Sequence, residues 1–344
     1  MSEGRLSYRD AGVDIDAANR AMGGIAALLR STRTSDTLSD LGSFGGLYRV
    51  PKGLRSPVLV ASTDGVGTKL KIAFMTGRHD TVGEDLVNHC VNDILVQGAA
   101  PLFFLDYVGV GKLEPGVIEA LVTGVARGCR NNGCALLGGE TAEMPDFYDP
   151  NEYDLAGTIV GIVDEDRIVD GSRVAEGDVV IGLGADGLHT NGYSLARRIV
   201  FGEMCLGPDD PFPEESGSVA DVLLRVHRSY LASVRPLLAD DRVHALAHIT
   251  GGGIVDNLPR VMPDGLSARI RLDSWEVPSL FRVLQREGGV DEREMFRAFN
   301  MGIGMVLVTA PGEADGVLES LTSAGERAWV AGEIVAGDGK TVLS

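Results

Sequence analysis

Cysteine, aromatic side chains and positive charge are all scarce in this sequence. Four cysteines in 344 residues, with no C-x-x-C pair, are too few for a disulfide framework, so we expect reduced thiols. No apolar run approaches the roughly 18 residues that span a bilayer. Residues 1–5 contain no apolar signal segment. These absences predict a cytoplasmic protein that does not enter a membrane.

The deficit of positive charge argues against one class of partner. Lysine and arginine number 31 against 49 acidic residues, a net charge of −18. Nucleic-acid binding requires a basic surface that neutralises phosphates, and no basic cluster supplies one here. An acidic protein can still bind a nucleotide through Mg²⁺, helix N-termini and a few placed cations. We therefore expect no nucleic-acid partner, whereas nucleotides remain possible ligands.

The rest of the composition is that of a globular protein with room for two domains, 44% hydrophobic and 23% charged. Residues 164–177 are polar and punctuated by glycine, which favours a domain junction. We predict domains at residues 1–168 and 169–344. Apolar patterning predicts strands at 58–61, 102–108, 134–137, 155–163 and 179–181, and helices at 83–97, 116–130 and 219–234. This mixed order indicates α/β or α+β layers.

The segment after the first predicted strand, residues 62–70, combines an acid, two glycines and a lysine. Asp64 can hold a hard cation through oxygen. Gly65 and Gly67 allow backbone N–H groups to approach an anion, and Lys69 can place a charge on a phosphate. The spacing is not that of a Walker A loop. An ordinary tight turn would account for the segment equally well.

Two further acids share this kind of context. Asp93 follows Asn92 on the polar face of the helix predicted at 83–97, and Glu140 follows a strand through two glycines. A solvated helix face and a helix N-terminal acid are the simpler explanations for Asp93 and Glu140, respectively. Together with Asp64, however, they could supply the carboxylates that a nucleotide-bound Mg²⁺ requires.

The second half offers two polar loops. Residues 248–254 contain three consecutive glycines directly before a predicted helix, an arrangement in which free backbone N–H groups can bind a phosphate. A flexible connector is the alternative explanation for this segment. Residues 187–192 offer His189, Thr190 and Asn191 as hydrogen-bonding groups. No G-x-S-x-G elbow is present, and the histidines lack the spacing of a zinc site. A lone histidine is more often structural than catalytic.

At this point the residues resemble a known family. The matching strings occur in order along nearly the whole chain: residues 8–15, 63–69, 91–93, 97–99, 103–107, 111–113, 138–145, 189–195, 248–253 and 296–302. They resemble the AIR synthase family of phosphoribosylformylglycinamidine cyclo-ligases. One departure concerns the first helix, where the family carries a lysine. Residues 23–27 have none here, and only Arg20 or Arg30 could substitute.

The resemblance implies an α+β (PurM-like) fold. An N-terminal mixed α/β domain would form an intersubunit β-barrel in a homodimer, and a C-terminal α/β domain would pack beside it. It also implies the substrates ATP and formylglycinamidine ribonucleotide, with Mg²⁺ as cofactor. The γ-phosphoryl group would activate the formyl amide oxygen, and the amidine nitrogen would then close an imidazole ring.

The resemblance also implies roles for individual residues at the matching positions. The resemblance assigns metal binding to Asp64, Asp93 and Glu140. Nucleotide binding falls to those three with Gly65, Gly67, Thr68, Lys69, Asn92, Gly139 and Thr141. Substrate binding falls to His189, Thr190, Asn191, His248, Thr250, Gly251, Gly252 and Gly253. Catalytic roles are expected for Asp64, Lys69, His189 and Asn191.

Related activities remain alternatives. A selenophosphate synthase would need a reactive N-terminal cysteine, whereas the first cysteine is Cys90, on the apolar face of a predicted helix. A hydrogenase-maturation dehydratase would need a C-terminal cysteine, and the chain ends at Ser344. A thiamine-phosphate kinase would lack the strings at 138–145 and 248–253. A non-catalytic nucleotide-binding subunit would have no need of all three acids.

Overall fold

The structure, a computed structural model, describes residue 12 and residues 14–39 and 43–344. The strands are β1 (Pro57–Gly65), β2 (Ala100–Val110), β3 (Ala135–Glu143), β4 (Tyr153–Asp164), β5 (Val179–Gly184), β6 (Ala245–His248), β7 (Leu266–Ile270), β8 (Ile303–Thr309), β9 (Ala328–Ala336) and β10 (Thr341–Leu343). The α-helices are α1 (Ile15–Ser31), α2 (Leu70–Thr76), α3 (Asp80–Leu95), α4 (Pro115–Asn131), α5 (Tyr193–Arg197), α6 (Val219–Leu223), α7 (Leu231–Ala239), α8 (Gly253–Asn257), α9 (Ser279–Gly288), α10 (Glu292–Ala298) and α11 (Ala314–Ser323). None of the helices in these ranges is long and apolar enough to cross a membrane.

The N-terminal sheet has four strands in the order β1-β4-β2-β3. β4 pairs antiparallel with β1 and β2, whereas β2 and β3 are parallel and are joined by α4. Burial along β1 alternates, because every second side chain faces the helices. The opposite face is open, and Leu59 on it is 64% exposed.

Helices α3 and α4 cover the inner face and approach each other closely at glycines. A Cβ on Gly124 would lie 2.0 Å from the Asp80 carbonyl oxygen, and one on Gly83 would lie 2.3 Å from that of Leu121. Small residues are therefore required where these two backbones meet. The contact fixes α3 against the sheet, and α3 carries several residues of the site.

The C-terminal sheet has six strands in the order β10-β7-β9-β5-β8-β6. β8 lies between β5 and β6, antiparallel to both, and is buried along its whole length. A strand with both faces covered reads as a continuous apolar run, as residues 303–308 do. β6 ends this sheet at His248, beside the N-terminal domain.

One prediction about the helices, and one alternative explanation weighed for Asp93, require correction. The helix predicted at 219–234 is two helices, α6 and α7, with residues 224–230 irregular between them. The polar face of α3 is not solvated, because it binds this irregular segment. Asp85 accepts from the His227 amide at 2.7 Å, Asn88 donates to the His227 carbonyl at 2.7 Å, and Asn92 accepts from the Tyr230 amide at 3.0 Å. Polar side chains that pair with buried backbone groups satisfy both partners.

Candidate active site

A pocket of about 620 Å³ opens where the two domains meet. Strand β1 and helix α3 form one wall, and the other is formed by the end of β6 with the loop and helical turn that follow. Its polar side chains are Ser62, Asp64, His89, Asp93, Gln97, His248, Thr250, Asn257 and Arg260. Two of the three predicted carboxylates, Asp64 and Asp93, therefore face one cavity.

His89 and His248 hold the two carboxylates in place. The Nε2 of His89 lies 2.8 Å from Asp64 Oδ2 and 3.8 Å from Asp93 Oδ2. The Nδ1 of His248 lies 2.7 Å from Asp93 Oδ1, and the Ser62 hydroxyl donates to Asp93 Oδ2 at 2.9 Å. This network brings β1, α3 and β6 together at the pocket wall.

The electrostatics keep both carboxyls ionised. Burial alone would raise the pKa of Asp64, but the hydrogen bond and charge of His89 bring it below its usual range. Burial opposes ionisation of Asp93 as well, and the hydrogen bond from His248 lowers its pKa. For His89, burial is outweighed by the two carboxylates, so its pKa is raised. Ionised carboxylates facing a cavity are the donor set that Mg²⁺ takes, so these residues fit that ion.

The loop after β1 is exposed at Gly67 and Thr68, but its lysine is buried. Gly67 adopts a left-handed φ of +67°, and exposed Thr68 lies 3.1 Å from the Ser194 hydroxyl. Lys69 is fully buried, with its ammonium 2.7 Å from Asp85 and bonded to the carbonyls of His189 and Arg225. The assignment of Lys69 to nucleotide binding and catalysis is therefore wrong for this structure. Its charge is already neutralised inside the protein.

Glu140 is the second correction. It lies within β3, not after it, and its partner across the sheet is Tyr107. Gly139 pairs with Asp106, which pairs with Gly157, which in turn pairs with Asp64. Three strand spacings thus separate Glu140 from Asp64, roughly 14 Å at about 4.8 Å each. One chain cannot bring Glu140 to the same ion as Asp64, and neighbouring Gly139 and Thr141 are equally remote.

Asn92 has a structural position. Its amide is buried between α3 and the segment after α6, where it donates to the Arg228 carbonyl at 2.8 Å and accepts from Tyr230. Because both ends of the amide are used, Asn92 is not available to a nucleotide. The prediction for Asn92 is corrected accordingly.

The loop after β6 reaches the pocket through its first residues. His248 and Thr250 line the cavity, and Gly251 is exposed beside it. Gly252 and Gly253 have φ of +92° and +60°, and a Cβ on Gly253 would lie 1.9 Å from the Phe296 carbonyl oxygen. The Asn257 amide donates to the Gly251 and Gly253 carbonyls and fixes the loop. The last two glycines are thus required by the turn itself.

The loop at 187–192 is not part of the pocket wall. The His189 ring is buried, and the Thr190 hydroxyl contacts His89 Nδ1 at 2.7 Å and His227 Nδ1 at 3.3 Å. Substrate contacts by His189 and Thr190, and catalysis by His189, therefore disagree with the structure. Asn191 is half-buried, and its Oδ1 approaches Gly251. Its Nδ2 has no hydrogen-bond partner, so its predicted roles stay predictions.

Sequence reasoning missed His89 and Arg260. His89 precedes Asp93 by four residues, one helical turn, which was a usable signal for a shared face. Arg260 is exposed at the pocket and donates to Asn257 at 3.3 Å, but nothing in its sequence context marked it. Residues 8–11 and 13 of the first matching string, and the side chain of Arg20, lie outside the described part of the chain. Arg30 is exposed near the end of α1.

Comparisons with known proteins agree with this two-domain arrangement. The family model for the N-terminal domain of AIR synthase related proteins matches residues 47–163, and the model for the C-terminal domain matches residues 175–343. Among solved structures, thiamine-monophosphate kinase from Stenotrophomonas maltophilia superposes with a TM-score of 0.70 at 18% identity, covering 93% of this chain and 96% of that one. Hydrogenase maturation protein HypE in complex with ATP superposes at 0.68 and 18%, covering 99% and 92%. At such identities the likeness shows the fold alone.

Curated relatives are much closer in sequence. Proteins named phosphoribosylformylglycinamidine cyclo-ligase from Trichlorobacter lovleyi and Sorangium cellulosum are 52% and 54% identical to this chain. The alignments cover 97% and 96% of the chain and 96% and 95% of those relatives. With nearly complete coverage on both sides and both domain models matched, the chain belongs to the phosphoribosylformylglycinamidine cyclo-ligase family.

Proposed function

We propose that this chain catalyses the ATP-dependent closure of formylglycinamidine ribonucleotide to 5-aminoimidazole ribonucleotide, with release of ADP and phosphate, in purine biosynthesis. The reaction is inferred from membership of the family. The observation that carries its location is the pair of ionised carboxylates, Asp64 and Asp93, in a pocket shared by both domains.

The nucleotide binds at the β1 side of the pocket in this proposal. Asp64 and Asp93 would hold Mg²⁺ there, and the ion would supply neutralisation of phosphate charge for phosphoryl transfer. The exposed backbone at Gly67 and Thr68 contacts the phosphates, and half-buried Gly65 supports Asp64 by donating its N–H to that carboxylate at 2.7 Å. His89 positions Asp64 through its 2.8 Å contact and keeps that carboxylate directed at the pocket.

The second substrate binds against the β6 side. Thr250 and the exposed Gly251 supply hydrogen-bonding groups, and Arg260 supplies a cation for the 5′-phosphate. His248 lines this wall with both ring nitrogens in contact with Asp93 and His227. Asn191 lies outside this wall but beside Gly251, where its partnerless Nδ2 offers a further donor. Placing the substrate opposite the nucleotide brings the formyl oxygen toward the phosphoryl group.

The reaction has two bond-making steps. The formyl amide oxygen accepts the γ-phosphoryl group, and ADP leaves. The amidine nitrogen of the same molecule then attacks the activated carbon, the carbon–oxygen bond breaks, and phosphate departs as the nitrogen loses a proton. Because both reacting groups belong to one substrate, holding it in a near-attack geometry supplies much of the rate.

The chain acts as a cytoplasmic homodimer in this proposal, with its domains dividing at residues 168/169. The open face of the N-terminal sheet supports a β-barrel formed with a second subunit, since Leu59, Leu105 and Tyr107 are exposed on it at 64%, 37% and 38%. Glu140, with Gly139 and Thr141, would then contribute to a nucleotide site only across the subunit boundary.

Product formation from defined substrates tests the activity. The purified chain is incubated with ATP, Mg²⁺ and formylglycinamidine ribonucleotide, with thiamine phosphate and selenide as alternative substrates. We expect 5-aminoimidazole ribonucleotide and ADP in equal amounts, and no turnover of the alternatives. Phosphorylation of thiamine phosphate, or ATP hydrolysis without ring closure, would contradict the proposal.

A further inference from the structure

Three histidines form a buried cluster beside the pocket, and one of them, His248, also lines the pocket wall. His189, His227 and His248 are 1%, 0% and 6% exposed, and one ring nitrogen from each lies within 4.8 Å of the others. They come from three separate segments of the C-terminal domain: the loop after β5, the irregular segment between α6 and α7, and the end of β6. Sequence spacing could not reveal this cluster, because its members are 38 and 21 positions apart in the chain.

The contacts of His227 and His248 bring two ring nitrogens together. Asp93 is an acceptor, so the Nδ1 of His248 carries the hydrogen of that 2.7 Å contact, and its Nε2 keeps a lone pair in the neutral ring. His227 can carry its hydrogen on either ring nitrogen: its Nε2 lies 3.3 Å from the Asn92 amino group, and its Nδ1 lies 3.3 Å from the Thr190 hydroxyl. The two Nε2 atoms are 3.0 Å apart. A bridging proton or a metal ion accounts for a distance this short.

His189 distinguishes the two kinds of cation. Both of its ring nitrogens are buried without a hydrogen-bond partner, and burial lowers its pKa well below the usual range, which keeps the ring neutral. A bridging proton would join only two nitrogens of the cluster and leave His189 unsatisfied. A metal ion would take a nitrogen from all three rings.

We propose that His189, His227 and His248 form a binding site for one divalent transition-metal ion of the Zn²⁺ class, separate from the Mg²⁺ carboxylates. Three imidazoles are a ligand set that Zn²⁺, Co²⁺ or Ni²⁺ prefers and Mg²⁺ does not. Asp93 bonds the far nitrogen of His248, the carboxylate–histidine arrangement that orients metal-bound imidazoles. The site does not depend on the ring-closing activity.

The rings are near, not at, ligand distance. Nitrogens around tetrahedral Zn²⁺ are about 3.3 Å apart, close to the 3.0 Å between His227 and His248. The His189 ring is stacked on the His227 ring with centroids 4.0 Å apart, so binding requires it to rotate. The metal would then tie the loop carrying His189 to the segment that α3 holds.

Cobalt is the direct probe. The full chain, stripped with a chelator, is titrated with Co²⁺ and then with Zn²⁺ in excess Mg²⁺. We expect the intense visible absorption of tetrahedral Co²⁺ to saturate at one equivalent and to disappear on Zn²⁺ addition, unaffected by Mg²⁺. Absence of that band, or saturation only at several equivalents, would overturn the site.

Variants assign the ion to the cluster. His227→Gln should lower the Zn²⁺ affinity at least about tenfold. His244→Gln should not, because His244 contacts Asp178 elsewhere in the domain. Cys205→Ser, which removes the exposed free thiol, should also bind normally. Unchanged binding by His227→Gln contradicts the proposal. If that variant does not fold, the wild-type thermal midpoint decides: it should rise with Zn²⁺ concentration, and a constant midpoint would contradict the site.

Discussion

At the scale of single residues, the surroundings of a charge decide what it does. Lys69 lies beside two glycines and an acid, which is how a phosphate-binding lysine looks in sequence. Its partner, Asp85, lies 16 residues further along, on the face of α3 that turns toward the C-terminal domain. The loop residues could be found from sequence. That the lysine points inward could not, because the partner that holds it comes from a different element.

Removal of this buried charge gives a stability prediction. Lys69→Met leaves Asp85 buried without its counter-ion and should lower the free energy of unfolding by about 3–5 kcal/mol. Adding Asp85→Asn should recover part of that loss, because the amide can still accept from the His227 backbone. Urea unfolding of both variants measures the difference. A Lys69→Met protein as stable as wild type would mean that the pair is not buried as described.

A second single residue, Asp106, makes the stability of the protein depend on pH. Burial raises its pKa to about 7, above the ordinary 3.8. The folded state therefore binds this proton more tightly than the unfolded state, and the stabilisation is lost as pH rises from about 4 to 7, by up to about 1.4 kcal/mol per unit. Asp106→Asn should remove this part of the pH dependence, so that it unfolds at higher urea than wild type at pH 8. Asp154→Asn, an exposed control on β4, should keep the wild-type pH dependence. Equal slopes of unfolding free energy against pH for wild type and Asp106→Asn would refute the assignment.

At the scale of elements, apolar periodicity carried most of the prediction. The strands at 58–61, 102–108 and 155–163 and the helices at 83–97 and 116–130 are confirmed as β1, β2, β4, α3 and α4. Polar faces were harder to interpret. Asp85, Asn88 and Asn92 lie on the polar face of α3, and only tertiary structure shows that a second domain supplies backbone partners for them. The same partners explain why 224–230 is not helical: its amides and carbonyls bond to α3.

The close contact of α3 with α4 predicts a difference between two glycines of one helix. Gly124→Ala places a methyl group against the Asp80 carbonyl and should cost about 1–3 kcal/mol of stability. Gly116→Ala, near the start of α4, meets nothing within 4 Å and should be neutral or stabilising by up to about 1 kcal/mol. Thermal unfolding of the two variants compares them directly. Equal midpoints would show that the helices are not packed this closely.

At the scale of the whole molecule, the resemblance predicted the family, and strand order decided which site residues meet. Asp64 and Asp93 share a pocket because β1 lies at the sheet edge beside the C-terminal domain. Glu140 does not join them, since β3 lies at the opposite edge. No local pattern encodes strand order, so the metal set drawn from sequence contained one residue too many for a single chain.

The open sheet face predicts how the molecule assembles. Leu59→Glu adds a charge to the proposed intersubunit surface and should convert a dimer to monomers in sedimentation velocity. Val342→Glu is the matched control, because Val342 is also exposed, at 47%, but lies on β10 of the other sheet. A dimer that survives Leu59→Glu, or is lost only in Val342→Glu, would place the interface elsewhere.

The central claim is that the pocket between the domains, with Asp64 in its wall, is where ATP drives ring closure. The most direct measurement is the rate of 5-aminoimidazole ribonucleotide formation by Asp64→Asn, with Asp154→Asn as a surface control and dimer content recorded for both. We predict that Asp64→Asn folds and assembles normally but loses roughly a hundredfold or more in rate, because the lost carboxylate no longer supports charge neutralisation at the phosphates. Asp154→Asn should retain the wild-type rate. Near-normal ring closure by Asp64→Asn would contradict the account.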